Sequence, residues 1–208
     1  MKKFYILLFL IFIAGHIFSQ NQNEVRASMG IDFVSIPQLK DYLEFISGES
    51  HSDFNSAINF SGSYGRMLSE TGQIELEVSY LLSSFNFNLI DGNYDLTYSV
   101  VMPSVLYNYV LNESSYNFKF GGGFGPRFLN VSEKQLPFQT DYSKIGFGFI
   151  LRGVGNTAIA QNVYAHIGAD IRYDIFSKLE ENENINSVGN VNFDALSFGL
   201  RLGISYQF

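Results

Sequence analysis

The sequence predicts an all-β fold, an eight-stranded antiparallel up-and-down transmembrane β-barrel preceded by a cleavable signal peptide. Three observations predict it: an apolar leader, eight long segments alternating with period two, and connections that tend to alternate between short and long. The 208 residues suffice for one domain. With 21 Phe and 13 Tyr, no Trp, 19 Gly and only 4 Pro, composition favours strands over helices. The formal charge of −7 argues against a nucleic-acid partner, which needs a basic face. The absence of cysteine excludes disulfides, thiolate metal sites, thiol nucleophiles and a lipid-modified amino-terminal cysteine.

The leader "MKKFYILLFLIFIAGHIFSQ" carries two lysines, an apolar run from Phe4 to Ala14 and a polar exit at Ser19-Gln20, the layout of a secretory signal peptide. Its apolar run falls short of the roughly 20 residues of a membrane-spanning helix. We therefore expect a signal peptide at 1–19 and a barrel domain at 20–208. Loss of Lys2 and Lys3 takes the net charge from −7 to −9.

Period-two alternation identifies the strands. Ile74, Leu76, Val78, Tyr80 and Leu82 alternate with Gln73, Glu75, Glu77 and Ser79. Val163, Ala165, Ile167, Ala169, Ile171, Tyr173 and Ile175 alternate with residues that include His166, Asp170, Arg172 and Asp174. The last segment repeats the rule from Leu196 to Phe208. Segments are expected near 25–36, 53–67, 73–88, 94–110, 116–129, 142–155, 162–176 and 192–208, each longer than the roughly 9 to 11 residues that cross a bilayer at a tilt. Before Pro103 the apolar residues are even (Leu96, Tyr98, Val100, Met102) and after it odd (Val105, Tyr107, Tyr109, Leu111), which predicts a bulge at or beside that proline.

The links "LSETG", "LNESS" and "NTAIAQ" are short, and "PQLKDYLEFISGESHS", "NVSEKQLPFQTD" and "SKLEENENINSVGN" are long. The tight link "LIDGN" breaks the alternation with a hairpin signal at Asp91-Gly92. Short turns on one side and long loops on the other characterise outer-membrane barrels, which puts both termini in the periplasm. Leu39, Tyr42, Leu43 and Ile46 recur at helical spacing, so the first loop is expected to hold a short amphipathic helix, at the membrane rim or packed on the barrel mouth. The acidic stretch "KLEENENIN" reads as a solvated loop, with a divalent-cation bridge to lipopolysaccharide as the weaker alternative.

The leader, the pair "YSVVMPSVLYNYV" and "YNFKFGGGFGPRF", and the ending "LRLGISYQF" resemble the small eight-stranded outer-membrane barrels of Gram-negative bacteria, the OmpA-transmembrane-domain and OmpX-like group with its porin-like relatives. The ending resembles the signature read by the barrel assembly machinery, with Phe208 last and Ile204 and Tyr206 before it. The resemblance covers the whole mature chain and implies insertion in the outer membrane among lipid and lipopolysaccharide. Functions in that group range from adhesion and envelope stability to lipid modification.

On this phasing the lumen-facing ionisable residues are Arg26, Asp32, Glu75, Glu77, Lys119, Arg127, Lys144, Arg152, His166, Asp170, Arg172, Asp174 and Arg201. An eight-stranded barrel is just wide enough for side chains to fill, so these charges are expected to pair and to plug it, fixing barrel shape. A narrow porin-like channel, or a barrel subunit of a secretion or assembly apparatus, is the alternative. Catalysis is not expected. After signal removal only His51 and His166 remain, and neither has the serine and carboxylate geometry that acyl transfer needs. Two separated histidines give no metal-ligand spacing, and nothing indicates a cofactor. An extracellular ligand is best sought at loops 37–52 and 177–190.

The cluster "GGGFGPRF" continues as a strand and lacks the helix and the Lys-Ser/Thr pair of a phosphate loop. Gly121, Gly123 and Gly125 are expected to point inward and, with Gly146 and Gly148, to leave room for Arg127 and Arg152.

Overall fold

A computed structural model describes residues 23–89, 92–113, 116–135, 138–176 and 188–208. The signal peptide expected at 1–19, Asp91 of the expected hairpin turn and the stretch "KLEENENIN" lie outside them. Eight strands form a closed antiparallel barrel in sequence order: β1 (Asn23–Ser35), β2 (Asn55–Met67), β3 (Gly72–Leu89), β4 (Gly92–Asn112), β5 (Tyr116–Gln135), β6 (Phe138–Ala160), β7 (Val163–Ile175) and β8 (Ala195–Gln207). Pairing of β1 with β8 closes the sheet, and Phe208 and Asn23 exchange backbone hydrogen bonds of 2.9 and 3.0 Å at the seam. Closure leaves no edge for lipid to meet, the condition for spanning a membrane with strands.

Alternation sets the two faces. Along β5 the outward residues run from Tyr116 through Phe118, Phe120 and Phe124 to Phe128, all exposed, while Asn117, Lys119 and Arg127 are buried inside. The twelve residue-to-residue rises of about 3.3 Å each, tilted about 40°, give an apolar belt about 30 Å tall, the height that a bilayer core requires.

Beyond that belt the polarity of the wall inverts without any change of phase. On β4 the even residues face inward along the whole strand, but Ser104 and Asn108 near the terminal end give way to Met102, Val100, Tyr98, Leu96 and Tyr94 at the far end. The outward face changes at the same level, from Val105, Tyr107 and Tyr109 to Ser99, Thr97 and Asp95. Neighbouring strands switch in register, because Ser99 pairs with Asn130 and Asn130 with Ser143. The near part is therefore polar inside and apolar outside, as lipid demands, and the far part is apolar inside and polar outside, as water demands.

The far part is raised on one side. Pairing of β2 with β3 stops at Ile58 and Leu82, and that of β6 with β7 stops at Phe147 and Ile175, so the longer β3–β6 continue as a four-stranded flap. The stretch "NVSEKQLPFQTD", expected as a loop, is mostly strand: β5 runs to Gln135 and β6 starts at Phe138. β6 also absorbs most of the link "NTAIAQ", and the turn falls at Gln161-Asn162, where Asn162 takes a φ of 64°. A bulge lies between Ala158 and Ala160.

The bulge expected at Pro103 is absent. Pairs Glu77–Ser104, Val78–Pro103 and Ser79–Met102 keep one register with β3, and Val101–Phe128 and Val105–Phe124 keep one with β5. The apolar residues change parity because their surroundings change across the membrane boundary, not because the strand slips.

Helix α1 (Pro37–Ser47) covers the far mouth. Pro37 at its first position costs no hydrogen bond, and Gly48, in the left-handed conformation at φ 71°, ends it by donating to the Glu44 carbonyl at 2.9 Å. Of the two placements left open, the helix takes the barrel mouth. Leu39, Tyr42 and Leu43 are buried against the flap's inner face and against Phe176, Val188, Val191 and Phe193 of the last loop.

Candidate functional site

The interior is two stacked compartments, an ion-paired lumen and an apolar cap. In the lumen, β1 contributes Glu24, Arg26 and Asp32; β3 Glu75 and Glu77; β5 Lys119 and Arg127; β6 Arg152; β7 Asp170, Arg172 and Asp174; and β8 Arg201, all buried. Six bases thus face six acids. Glu24 lies one residue before the first segment that the sequence predicts, although it shares the parity of Arg26.

These groups alternate in sign along a continuous path. Lys119 meets Glu24 at 2.5 Å, Glu24 meets Arg26 at 3.1 Å, and Arg26 meets Glu75 at 2.8 Å. Arg152 bridges Glu75 at 3.7 Å to Glu77, which it grips through both terminal nitrogens. Arg201 lies 3.6 Å from Glu77 and 2.5 Å from Asp170, and Arg172 links Asp170 at 3.6 Å to Asp32 at 2.6 Å. Arg127 and Asp174 make a further pair at 2.5 Å. β2 and β4 add uncharged partners: Asn59 donates to Asp32 at 2.6 Å and Asn108 to Glu75 at 2.8 Å. A buried charge without its counterion costs several kcal/mol, and here each guanidinium has a carboxylate within reach.

Lys144 does not join the network. It keeps the lumenal parity but sits opposite Leu129, above the inversion, where β6 has already left β7; it is half-exposed and makes no ion pair among the described residues. His166 is buried, with its Nε2 3.0 Å from the Ser28 hydroxyl. His51 contacts the Ser47 hydroxyl at 3.0 Å, but the Glu44 carboxylate takes the His51 backbone N–H and not its ring. Neither histidine heads a serine–carboxylate triad in these contacts.

Glycines admit the charges. A Cβ on Gly148 would collide with the Arg127 guanidinium and the Asp174 carboxylate, and one on Gly199 with the carboxylates of Asp32 and Asp170. Gly121, Gly123 and Gly125 serve a different neighbour from the expected arginines. Their missing side chains would strike the β4 backbone and Asn108, Leu106 and Ser104, while Gly146 yields to Phe176.

Above the charges, Val34, Leu81, Tyr98, Val100, Met102, Leu129 and Phe193 fill the lumen under α1. Tyr42 of the helix and Tyr94 of β4 both donate to the same Glu133 carboxylate oxygen, at 2.5 and 2.7 Å, latching the helix to the flap. Burial, reinforced by Glu133, pushes the Tyr42 hydroxyl well above the usual tyrosine range, so it stays a donor. Lys40 pairs with Asp53 at 2.5 Å, and Gln38 accepts the Asn192 backbone N–H at 3.0 Å, tying the first loop to the last. Two lumenal voids are small: about 50 Å³ beside Glu24, Gln73 and Lys119, and about 10 Å³ under the cap beside Leu81 and Tyr98.

No protein-family model matches the chain, and no curated protein is similar enough to match. Solved structures do match in fold. Neisserial surface protein A is 15% identical, with 89% of this chain and 97% of that one covered and a TM-score of 0.52. Ail, the attachment invasion locus protein of Yersinia pestis, in complex with the heparin analogue sucrose octasulfate, is 15% identical over 90% and 99% of the two chains, with a TM-score of 0.52. A major outer membrane protein from Thermus thermophilus is 11% identical over 89% and 99%, with a TM-score of 0.54. At such identities the likeness is one of fold: the chain adopts the fold of small outer-membrane β-barrels.

Proposed function

We infer that the protein is an integral outer-membrane barrel, closed to conduction, with a structural and surface-binding role in the envelope. The carrying observation is the lumen itself. Six buried bases neutralise six buried acids across six strands, and an apolar cap sits over them. Such a filling braces the wall from within and leaves no continuous aqueous path. Both termini then lie in the periplasm and the flap and α1 at the cell surface, while Ile204, Tyr206 and Phe208 serve as the signal for the barrel assembly machinery.

The reading is non-catalytic. The Ser28–His166 contact is buried within the charged lumen, and no carboxylate is hydrogen-bonded to the imidazole among the described residues. At the exposed end, ligand contact is assigned to loops 37–52 and 177–190, of which 177–187 lie outside the described residues. There the described bases Lys40, Lys134 and Lys144 are outnumbered by acids such as Asp41, Glu49, Asp53, Asp95 and Asp141, so a polyanion of the kind bound to Ail is disfavoured. Planar-bilayer recording of the purified protein tests closure: a silent membrane is expected, and stable ohmic openings would favour a narrow channel instead. Exchange of the two loops tests binding, because partner capture that survives the exchange would remove the loops as its site.

A further inference from the structure

The outer face of the flap has a composition that strand formation does not explain. Asparagine is depleted in sheets, yet Asn86, Asn93 and Asn130 stand there beside Ser84, Thr97 and Ser143, and the outward face above the boundary carries no apolar side chain among the described residues. Charge there is confined to Asp95, Lys134 and Asp141.

These side chains are held in register. Thr97 donates to Ser84 at 3.3 Å, Ser143 to Asn130 at 2.8 Å, and the Gln139 amide to Ser132 at 3.2 Å, each across a strand pair. Every such pair keeps spare capacity. An asparagine has two donors and two acceptor sites and a hydroxyl three sites in all, so the single bonds of Thr97–Ser84 and Ser143–Asn130 leave capacity to spare, although Gln139 also donates to Asp141 at 3.3 Å. The result is a lattice of mostly neutral donors and acceptors, spaced about 4.8 Å across strands and about 6.8 Å along them.

Position identifies what meets this lattice. It lies on the same strands and the same outward parity as the apolar belt and begins where the belt ends, at Ser84, Ser99, Asn130 and Ser143. A surface continuous with the lipid-facing wall borders whatever stands above the acyl chains of the same leaflet. Phosphates there would be met by Lys or Arg. The boundary instead carries uncharged hydroxyl and amide groups, and the flap's one described outward base, Lys134, lies two residue rows higher. Sugar hydroxyls, which both donate and accept, match it.

We propose that the outer face of the flap is a lateral docking surface for the uncharged saccharide headgroups of glycolipids surrounding the exposed end of the barrel. This rests on the reading of that end as the cell-surface side of a membrane-inserted barrel. The test is native mass spectrometry of the full mature chain released from phosphatidylcholine bilayers doped equally with digalactosyldiacylglycerol, a neutral sugar lipid, and phosphatidylglycerol, a phosphate lipid without a sugar ring. The sugar lipid should be retained about five-fold over phosphatidylcholine for each headgroup hydrogen bond kept, at about 1 kcal/mol apiece. Ser84→Ala/Asn130→Ala/Ser143→Ala should bring retention to parity, and the near-isosteric Thr97→Val should lower it in part. Equal retention of all lipids, preference for phosphatidylglycerol, or enrichment untouched by either variant would overturn the proposal, as would full competition by free digalactose, which would make the site one for soluble glycans. Heat-modifiable gel migration reports insertion separately: its loss in the wild type would sink the barrel reading, whereas its presence without sugar-lipid enrichment would sink this inference alone.

Discussion

Arg127 donates from one guanidinium nitrogen to the backbone carbonyl of Pro126 at 3.1 Å, and the same nitrogen reaches the Pro103 carbonyl at 3.4 Å on the neighbouring strand. The two prolines stand opposite each other, between the pairs Val101–Phe128 and Val105–Phe124. Neither has an N–H, so the ladder is interrupted there. Arg127 supplies donors from inside, to Gly125 as well at 3.2 Å, while its Nε holds Asp174 at 2.5 Å.

Arg127→Met should therefore cost about 3–5 kcal/mol, the usual cost of stranding one partner of a buried ion pair. Guanidinium unfolding followed by heat-modifiable migration measures it. Arg127→Met/Asp174→Leu should recover most of the loss but stay below wild type, since the carbonyls remain without a donor. Full recovery in the double variant would show that the backbone contacts contribute nothing.

Strand order, barrel closure and the inward charges were legible in the sequence because one physical rule, apolar outward and polar inward, holds from the terminal end to about Val105. That rule lapses where the wall leaves lipid. Leu129 and Val131 continue the strand inward and Asn130 and Ser132 outward, but the reversed polarity makes the residues from Asn130 onward read as loop, and on β4 the same reversal mimics a bulge. Glu24 escaped notice for a smaller reason, a boundary set one residue late. Lys144 was misplaced because parity gives the face of a residue and not its height relative to the membrane. The three-residue latch of Tyr42, Tyr94 and Glu133 joins separate elements and has no local signature at all.

That latch gives a second prediction. Tyr42→Phe should loosen α1 by about 1.5–3 kcal/mol, the range for a hydrogen bond to a charged acceptor, read as faster amide exchange over residues 37–47 with global unfolding little changed. Glu133→Gln, which keeps an acceptor, should loosen it less than Glu133→Leu. The Tyr42 pKa is raised in the folded state, so its contribution is fully present below the unfolded tyrosine value of about 10 and declines as pH rises above it. Protection of the helix should hold from pH 7 to 9 and fall only beyond about 10.

The carboxyl-terminal residues separate packing from recognition. Ile204, Tyr206 and Phe208 face outward and are substantially exposed, and Tyr206 and Phe208 stack at 5.9 Å. The seam bonds between Phe208 and Asn23 use backbone alone. Phe208→Ala should thus leave the stability of refolded protein within about 1 kcal/mol of wild type, as for other surface changes, while sharply lowering the amount assembled in cells. Equal losses in both measurements would mean that the ring acts by packing.

Closure is predicted to be redundant, because the apolar cap and the ion-paired lumen lie in series along one axis. Replacing residues 37–47 with a Gly/Ser linker removes the buried faces of Leu39, Tyr42 and Leu43 but leaves the Arg152–Glu77 and Arg172–Asp32 pairs untouched, so planar-bilayer recordings should stay silent. Removing the central pair as Arg152→Ala/Glu77→Ala takes away one charge of each sign and opens space at mid-lumen beneath an intact cap. That variant should be silent too. Only the combination creates a water-filled path through both compartments, and it should give discrete openings. Openings after loss of the cap alone would show that the charged lumen conducts, and would transfer the barrier to ions from the arginine–carboxylate ladder to α1.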